Sequence, residues 1–262
     1  MPELSQVHSF VGMKVYIENE EMFLRNVPYR DRVINLINTI FPRELSSAVL
    51  SVIADTFIYR LLYANPYLDV FDKYRCIFIH IPKCAGISVE NGLFGTKVGH
   101  KRIALFERYN VQKFNDYFKF TIVRNPYDRI VSAFFFLKSG GRNERDREWA
   151  ARNLNDYDNF SDFVYNGLRT ENVKKALHFQ PQYLYLCKPG SLVPEVDFIG
   201  RFEELEKDYN YIQEKLGIQT SDLPHLNKSK RKSDYREFYD EKTRSIVASV
   251  YQEDLNIFNY GF

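Results

Sequence analysis

The residues best placed by type and spacing to do chemistry fall in two stretches. The first reads Ile77-Phe78-Ile79-His80-Ile81-Pro82-Lys83-Cys84-Ala85-Gly86-Ile87-Ser88. Its continuous apolar, β-branched start is the pattern of a strand buried on both faces. Pro82 cannot donate a ladder hydrogen bond and is expected to end that strand. Gly86 permits a close backbone approach, and Ser88 stands where a helix can start. A strand, a tight loop carrying one lysine and a helix N-terminus form an anion cradle, because backbone N–H groups and the positive helix end converge on one point. The second stretch begins with a strand from Phe118 to Val123 and continues as Arg124-Asn125-Pro126-Tyr127-Asp128-Arg129-Ile130-Val131-Ser132. Here Asn125 reads as an N-cap, Pro126 as an N1 proline and Asp128 as an acid in the first helical turn. Tyr127, Ile130, Val131 and Phe134 make the buried face. Arg129 and Ser132 lie three apart on another face, and Arg124 stands at the end of the strand.

The remaining elements must position these two stretches. Before them, Val33, Ile34, Ile37 and Phe41 have helical spacing, and Val49, Ile53, Phe57 and Leu61 form one stripe four residues apart. Ala64-Asn65-Pro66 breaks that helix and leads to the cradle strand. Between the stretches lies Gly95-Thr96-Lys97-Val98-Gly99-His100-Lys101, a loop with two glycines and one histidine. Residues 138–157 are charged and read as a loop or a solvated helix. Phe160, Phe163, Val164 and Leu168 predict a short amphipathic helix, and His178-Phe179-Gln180-Pro181-Gln182-Tyr183 a polar turn. A third strand over 196–202 is followed by a helix over 203–216, stopped at Gly217. The basic run Asn227-Lys228-Ser229-Lys230-Arg231-Lys232 precedes a last helix with Ile246, Val247 and Val250 inward, ending near Phe258. The pattern predicts an α/β domain over 71–262, preceded by an N-terminal helical extension over 1–70, with no internal repeat.

Composition narrows the function. The 262 residues are 45% hydrophobic, so a sizeable core is available. Nineteen Tyr and 22 Phe suit a deep cleft and an ordinary core equally. A net charge of +2 supplies no global field for nucleic acid or membranes, so any anion site must be local. Cys76, Cys84 and Cys187 lack metal-ligand spacing and read as reduced thiols. With no signal-peptide pattern and no apolar run of membrane length, a soluble intracellular protein is expected.

With both stretches in hand, the sequence resembles the sulfotransferases that use 3′-phosphoadenosine 5′-phosphosulfate (PAPS), and within them the carbohydrate branch, sulfotransferase family 2. The segment from His80 to Ser88 is similar to that family's 5′-phosphosulfate loop, with Ser where Thr is common. Val123-Arg124-Asn125-Pro126-Tyr127-Asp128-Arg129-Ile130-Val131-Ser132-Ala133 is similar to its 3′-phosphate segment. Ile199-Gly200-Arg201-Phe202-Glu203 and the tail from Leu223-Pro224-His225-Leu226-Asn227-Lys228-Ser229 to Tyr260 also look like the family. The likeness covers roughly residues 74–262. It implies a three-layer, P-loop-like fold with a central parallel sheet, PAPS as donor and its bisphosphate product PAP, a hydroxylated acceptor that is a saccharide, and no metal. Secretory members carry a membrane anchor and lumenal cysteines, so a cytoplasmic, bacterial-type enzyme is the expectation here.

The resemblance also assigns roles. Lys83 would neutralise or protonate the departing phosphate oxygen. Lys83, Cys84, Ala85, Gly86, Ile87 and Ser88 would line the 5′-phosphate, through the N–H groups of residues 85–88 and the Ser88 hydroxyl. Arg124 would fork onto the 3′-phosphate with Ser132 adding a hydroxyl, while Arg129 reads equally as a solvated helix residue. Lys228, Ser229, Lys230 and Arg231 would approach the same ligand from the tail. A base must also take the acceptor's proton. Of five histidines, His8 and His225 read as structural and His80 as a core residue supporting the loop. His100 stands where similar family members place their catalytic histidine and is the favoured base. His178 is the reserve, with Gln182 on the acceptor side, and Glu107 is a weaker carboxylate alternative. Two rivals remain: a P-loop nucleotide kinase or NTPase, which wants G-x-x-x-x-G-K-[ST] and a magnesium-binding carboxylate, and a non-catalytic binding protein, which would be expected to lack Lys83 or a base.

Overall fold

Three apolar runs become three parallel strands, β1 (Cys76–Ile79), β2 (Phe118–Val123) and β3 (Phe198–Arg201), hydrogen-bonded in the order β1-β2-β3. They belong to a computed structural model that describes residues 64–218, Leu223 and residues 234–262. The helices expected before Ala64, together with His8, His225 and residues 228–231, lie outside the described residues. Register places Ile79 beside Thr121 and Val123 beside Arg201, so the carboxyl ends of neighbouring strands open at one edge. Every residue of β1 is buried, which a strand achieves only when both faces are covered.

Parallel neighbours need crossovers, and helices supply them. A short helix α1 (Asp69–Tyr74) leads into β1 where the sequence reading ran directly from Pro66 to the strand. Helices α2 (Gly86–Phe94), α3 (Ile103–Tyr109) and α4 (Val111–Asp116) join β1 to β2. Between β2 and β3 come α5 (Pro126–Lys138), α6 (Glu144–Asn153), a helical turn Phe160–Asp162 with its π-turn Phe163–Gly167, α7 (Glu171–Lys175) and α8 (Tyr183–Leu186). A 3₁₀ turn (Phe202–Glu204), α9 (Leu205–Leu216), α10 (Glu241–Val250) and α11 (Gln252–Ile257) follow β3. None of these helices is long and apolar enough to cross a membrane.

Two apolar clusters hold this arrangement. Ile77, Phe78, Ile79, Phe120 and Ile122 pack the sheet against Phe71, Phe106 and Ile212. On α5, Ile130, Val131, Phe134 and Leu137 meet Phe160, Phe163, Val247 and Tyr251. Each such side chain, fully buried, contributes about 1.5–3 kcal/mol. Helix α5 therefore fixes the second chemical stretch to α6, α7 and the C-terminal helices.

The strand before the cradle is shorter than its sequence pattern. It ends at Ile79, and the His80 carbonyl accepts the Nδ1–H of His100 at 2.8 Å instead of a ladder bond. Two further boundaries move: β3 starts at Phe198, and the last helix is interrupted at Tyr251.

Candidate active site

The first stretch turns sharply over residues 82–85, with Lys83 at φ 70° and Ala85 at φ 60°. Neither is glycine, and a left-handed backbone costs roughly 1–3 kcal/mol at each. Fixed partners hold the strain. The Pro82 carbonyl accepts Arg129 Nε–H at 3.0 Å, and the Lys83 carbonyl accepts Arg124 Nη1–H at 3.1 Å. The Cys84 thiol donates to Gln182 Oε1 at 3.2 Å. Helix α2 then starts at Gly86, so Ser88 sits inside its first turn rather than ahead of it. The first N–H to find a backbone acceptor there is that of Ser88, on Ala85 O at 2.9 Å. The N–H groups of Gly86 and Ile87 have no intrahelical acceptor and, with the positive helix end, can receive an anion.

Gly86 is required for a reason internal to the protein. A Cβ there would fall inside the imidazole of His80. That ring donates through Nδ1 to Glu90 Oε2 at 3.0 Å, and the same oxygen accepts the Val98 N–H at 3.0 Å. Gly86→Ala should force His80 aside and cost about 1–3 kcal/mol, as overpacking does. A melting temperature equal to wild type in thermal denaturation would remove this account of the glycine.

The second stretch is capped as its sequence suggests. The Asn125 side chain accepts the Tyr127 N–H at 3.0 Å, with Pro126 at the first helical position. Asn125 Nδ2 donates to Gly261 O at 2.7 Å, which ties this cap to the chain's last residues. Arg124 is buried, directs Nε and Nη2 at Asp128 Oδ2 (2.8 and 2.7 Å), and lies 3.9 Å over the Phe202 ring. Its Nη1 also donates to Lys83 O. Ser132 is half-buried further along α5. Arg129, read from the sequence as an equal candidate for a solvated residue, is only 1% exposed. Its Nη1 donates to Gln180 O at 2.9 Å, while Nη2 is buried with no partner among the described residues.

Two histidines belong to this region, and His178 lies beside the lysine. His100 donates through Nδ1 to a carbonyl, which fixes the tautomer and leaves the Nε2 lone pair free to accept a proton. Burial, with His80 beside it, pushes His100 down to about 4. His178 packs on Phe136 with ring centroids 5.4 Å apart, and Lys83 Nζ lies 3.8 Å over that same ring. Burial also takes His178 down to about 4; Asp146 opposes the shift, and Lys83 and Arg129 add to it. Lys83 falls to about 8 through burial and then Arg124. Both histidines are thus neutral at neutral pH, and the lysine beside His178 is cationic.

The other candidates stand differently. Glu107 is ion-paired with Lys188 at 2.8 Å. Gln182, expected at the acceptor, is 0% exposed with its amide bonded inside the protein, so it serves the framework and not the acceptor. The Cys84 thiol is likewise turned inward, and burial raises it to about 12. Phe136 and Asp146 escaped the sequence reading as site residues, because they meet Lys83 and His178 from distant parts of the chain, and Glu90 escaped it although its partners His80 and Val98 lie within ten residues. Among the described residues no cluster of His, Cys, Asp or Glu could hold a metal ion.

Adjacent ends of a parallel sheet, each opening into a turn and helix that bring a lysine and an arginine together, make a candidate anion site with neutral histidines in the same region. The model of the sulfotransferase family matches residues 66–261, and the chain belongs to that family. It is 27% identical over 240 residues to carbohydrate sulfotransferase 10 of Xenopus laevis, covering 73% of this chain and 66% of that protein. It is 29% identical over 245 residues to carbohydrate sulfotransferase 10 of Rattus norvegicus (78% and 62%) and 25% over 217 to carbohydrate sulfotransferase 14 of Danio rerio (71% and 57%). The chain spans between half and two thirds of the curated relatives' lengths. No solved structure matches it.

Proposed function

We propose that the chain transfers a sulfuryl group from PAPS to a hydroxyl of a carbohydrate or glycoconjugate, by in-line displacement with a histidine base on a three-layer, P-loop-like fold. The observation that carries this reading is the 3.1 Å bond from Arg124 Nη1 to the Lys83 carbonyl, which joins two anion-receiving segments beside two neutral histidines. The family membership supports the reaction class, and the names of the carbohydrate sulfotransferases it resembles support the acceptor class. A cytoplasmic location is part of the same proposal; it rests on the sequence reading of Cys76, Cys84 and Cys187 as reduced thiols.

When bound, the donor supplies an S–O bond whose departing oxygen belongs to a phosphate. The N–H groups of Gly86 and Ile87, with Ser88, receive the 5′-phosphate at the α2 end. The Lys83 ammonium steadies negative charge at the departing oxygen. The Arg124 guanidinium and the Ser132 hydroxyl take the 3′-phosphate. His100 Nε2 accepts the proton of the acceptor hydroxyl, and His178, next to Lys83, orients that acceptor.

Calorimetry tests the nucleotide assignment. Charge-assisted hydrogen bonds are worth about 1.5–3 kcal/mol each. Adenosine 3′,5′-bisphosphate should therefore bind about 10²-fold or more tightly than adenosine 5′-monophosphate. Equal affinities would remove the Arg124 segment from the site.

A further inference from the structure

Strand β2 stops pairing at Val123, so the next residue, Arg124, needs partners for a buried N–H and C=O. One side chain supplies both. Gln182 Oε1 accepts the Arg124 N–H at 3.0 Å, and its Nε2 donates to the Arg124 carbonyl at 2.9 Å. The same Oε1 accepts the Cys84 thiol from the strained turn. A single amide thus grips the backbone of one anion segment and the side chain of the other.

Gln182 is itself seated by a buried carboxylate. Asp254 on α11 is 0% exposed and accepts the Gln182 N–H through Oδ2 (2.7 Å) and the Tyr183 N–H through Oδ1 (2.8 Å). Two residues before Gln182, the Gln180 carbonyl accepts Arg129, whose Nε holds the Pro82 carbonyl. The segment carrying His178 is therefore braced at its far end against both the Lys83 turn and the Arg124 backbone.

We propose that Gln182, seated by Asp254, is a positioning residue that sets the separation between the Lys83 turn and the Arg124 segment, and with it the span between two phosphate sites. The proposal rests on the reading that one nucleotide places a phosphate in each segment. Without the amide, only the Arg124–Lys83 and Arg129–Pro82 contacts tie the left-handed turn to the Arg124 segment, and their separation is less closely set. A ligand bridging both segments then loses bonds that a ligand held by one segment keeps.

Gln182→Met retains length and volume but neither polar atom. Asp254→Asn leaves Gln182 in place but turns an N–H toward the backbone donors that seat it. Calorimetry on each variant should use adenosine 3′,5′-bisphosphate, adenosine 5′-monophosphate and adenosine 3′-monophosphate, with melting temperatures recorded. The expected result is that bisphosphate binding weakens about 10–100-fold, the factor for one charge-assisted bond, while each monophosphate changes by less than about threefold. Uniform weakening of all three ligands, which a merely structural role would produce, overturns the proposal, as does unchanged bisphosphate affinity. If Gln182→Met does not fold, the same ratio in Asp254→Asn decides; failure of both to fold assigns the pair to folding alone and overturns the positioning role. A wild type that binds a monophosphate as tightly as the bisphosphate overturns the two-phosphate reading itself, a result separate from any effect of the variants.

Discussion

Lys83→Ala should lower turnover by about 10²–10³-fold, the usual loss when one group stabilising developing negative charge is removed. The lysine sits on a strained turn with its ammonium 3.8 Å over Phe136, close to the helix end that would hold the phosphate. Its proposed work is on charge that grows as the sulfuryl group departs, so affinity for the bisphosphate product should fall much less than turnover. The pH dependence carries a second signature. Burial, with Arg124 nearby, lowers Lys83 to about 8, so free enzyme loses the ammonium as pH rises through that value. The kcat/KM profile should then fall on its alkaline side, and Lys83→Ala should lack that limb. Near-normal turnover by the variant with a proven acceptor would end the leaving-group role.

His100→Ala should lose about 10²–10⁴-fold in turnover while still folding and binding the bisphosphate. Burial beside His80 sets the base to about 4. It is therefore neutral above that pH, and the acid limb of kcat/KM should lie near 4, well below the ordinary histidine value of about 6.5. A bound donor brings negative charge that favours the imidazolium, so the limb in kcat should lie at higher pH than the limb in kcat/KM. The same shift acts on stability. Between about 6.5 and 4 the unfolded chain binds a proton at this residue and the folded one does not, so stability falls as pH falls through that window. His178, also at about 4 and next to Lys83, provides the control. If His178→Ala abolished activity and His100→Ala barely changed it, the two roles would be exchanged.

The features legible in the sequence were those decided by local chemistry. Phe118–Val123 forms the strand its apolar pattern predicts, and Asn125 with Pro126 starts α5 through a cap that needs only neighbouring residues. Gly217 ends α9 in the left-handed conformation that favours glycine. What could not be read depends on partners far along the chain. Lys83 and Ala85 adopt left-handed backbone without being glycine, because Arg124, Arg129 and Gln182 hold the turn from 41 to 98 residues away. Arg129, charged and on a helix, carries no local mark of burial, yet two backbone carbonyls from separate loops enclose it. His80 was legible as a core residue, but its partner Glu90 comes from the next helix, and its carbonyl fixes His100. The segment that carries His100 was legible only as a loop with two glycines, and the bond from its ring to the His80 carbonyl could not be read from it.

The central claim is that Lys83 and Arg124 hold a sulfuryl donor and the histidines activate a hydroxyl. It is tested most directly by incubating the full chain with ³⁵S-labelled PAPS and a panel of hydroxylated saccharides, glycolipids and small alcohols. A parallel reaction should contain magnesium and ATP. The expected result is label transferred to a saccharide, with stoichiometric adenosine 3′,5′-bisphosphate, lost in Lys83→Ala and independent of ATP. Turnover of magnesium-ATP, with no label on any acceptor, would contradict it and make the cradle a nucleotide triphosphate site.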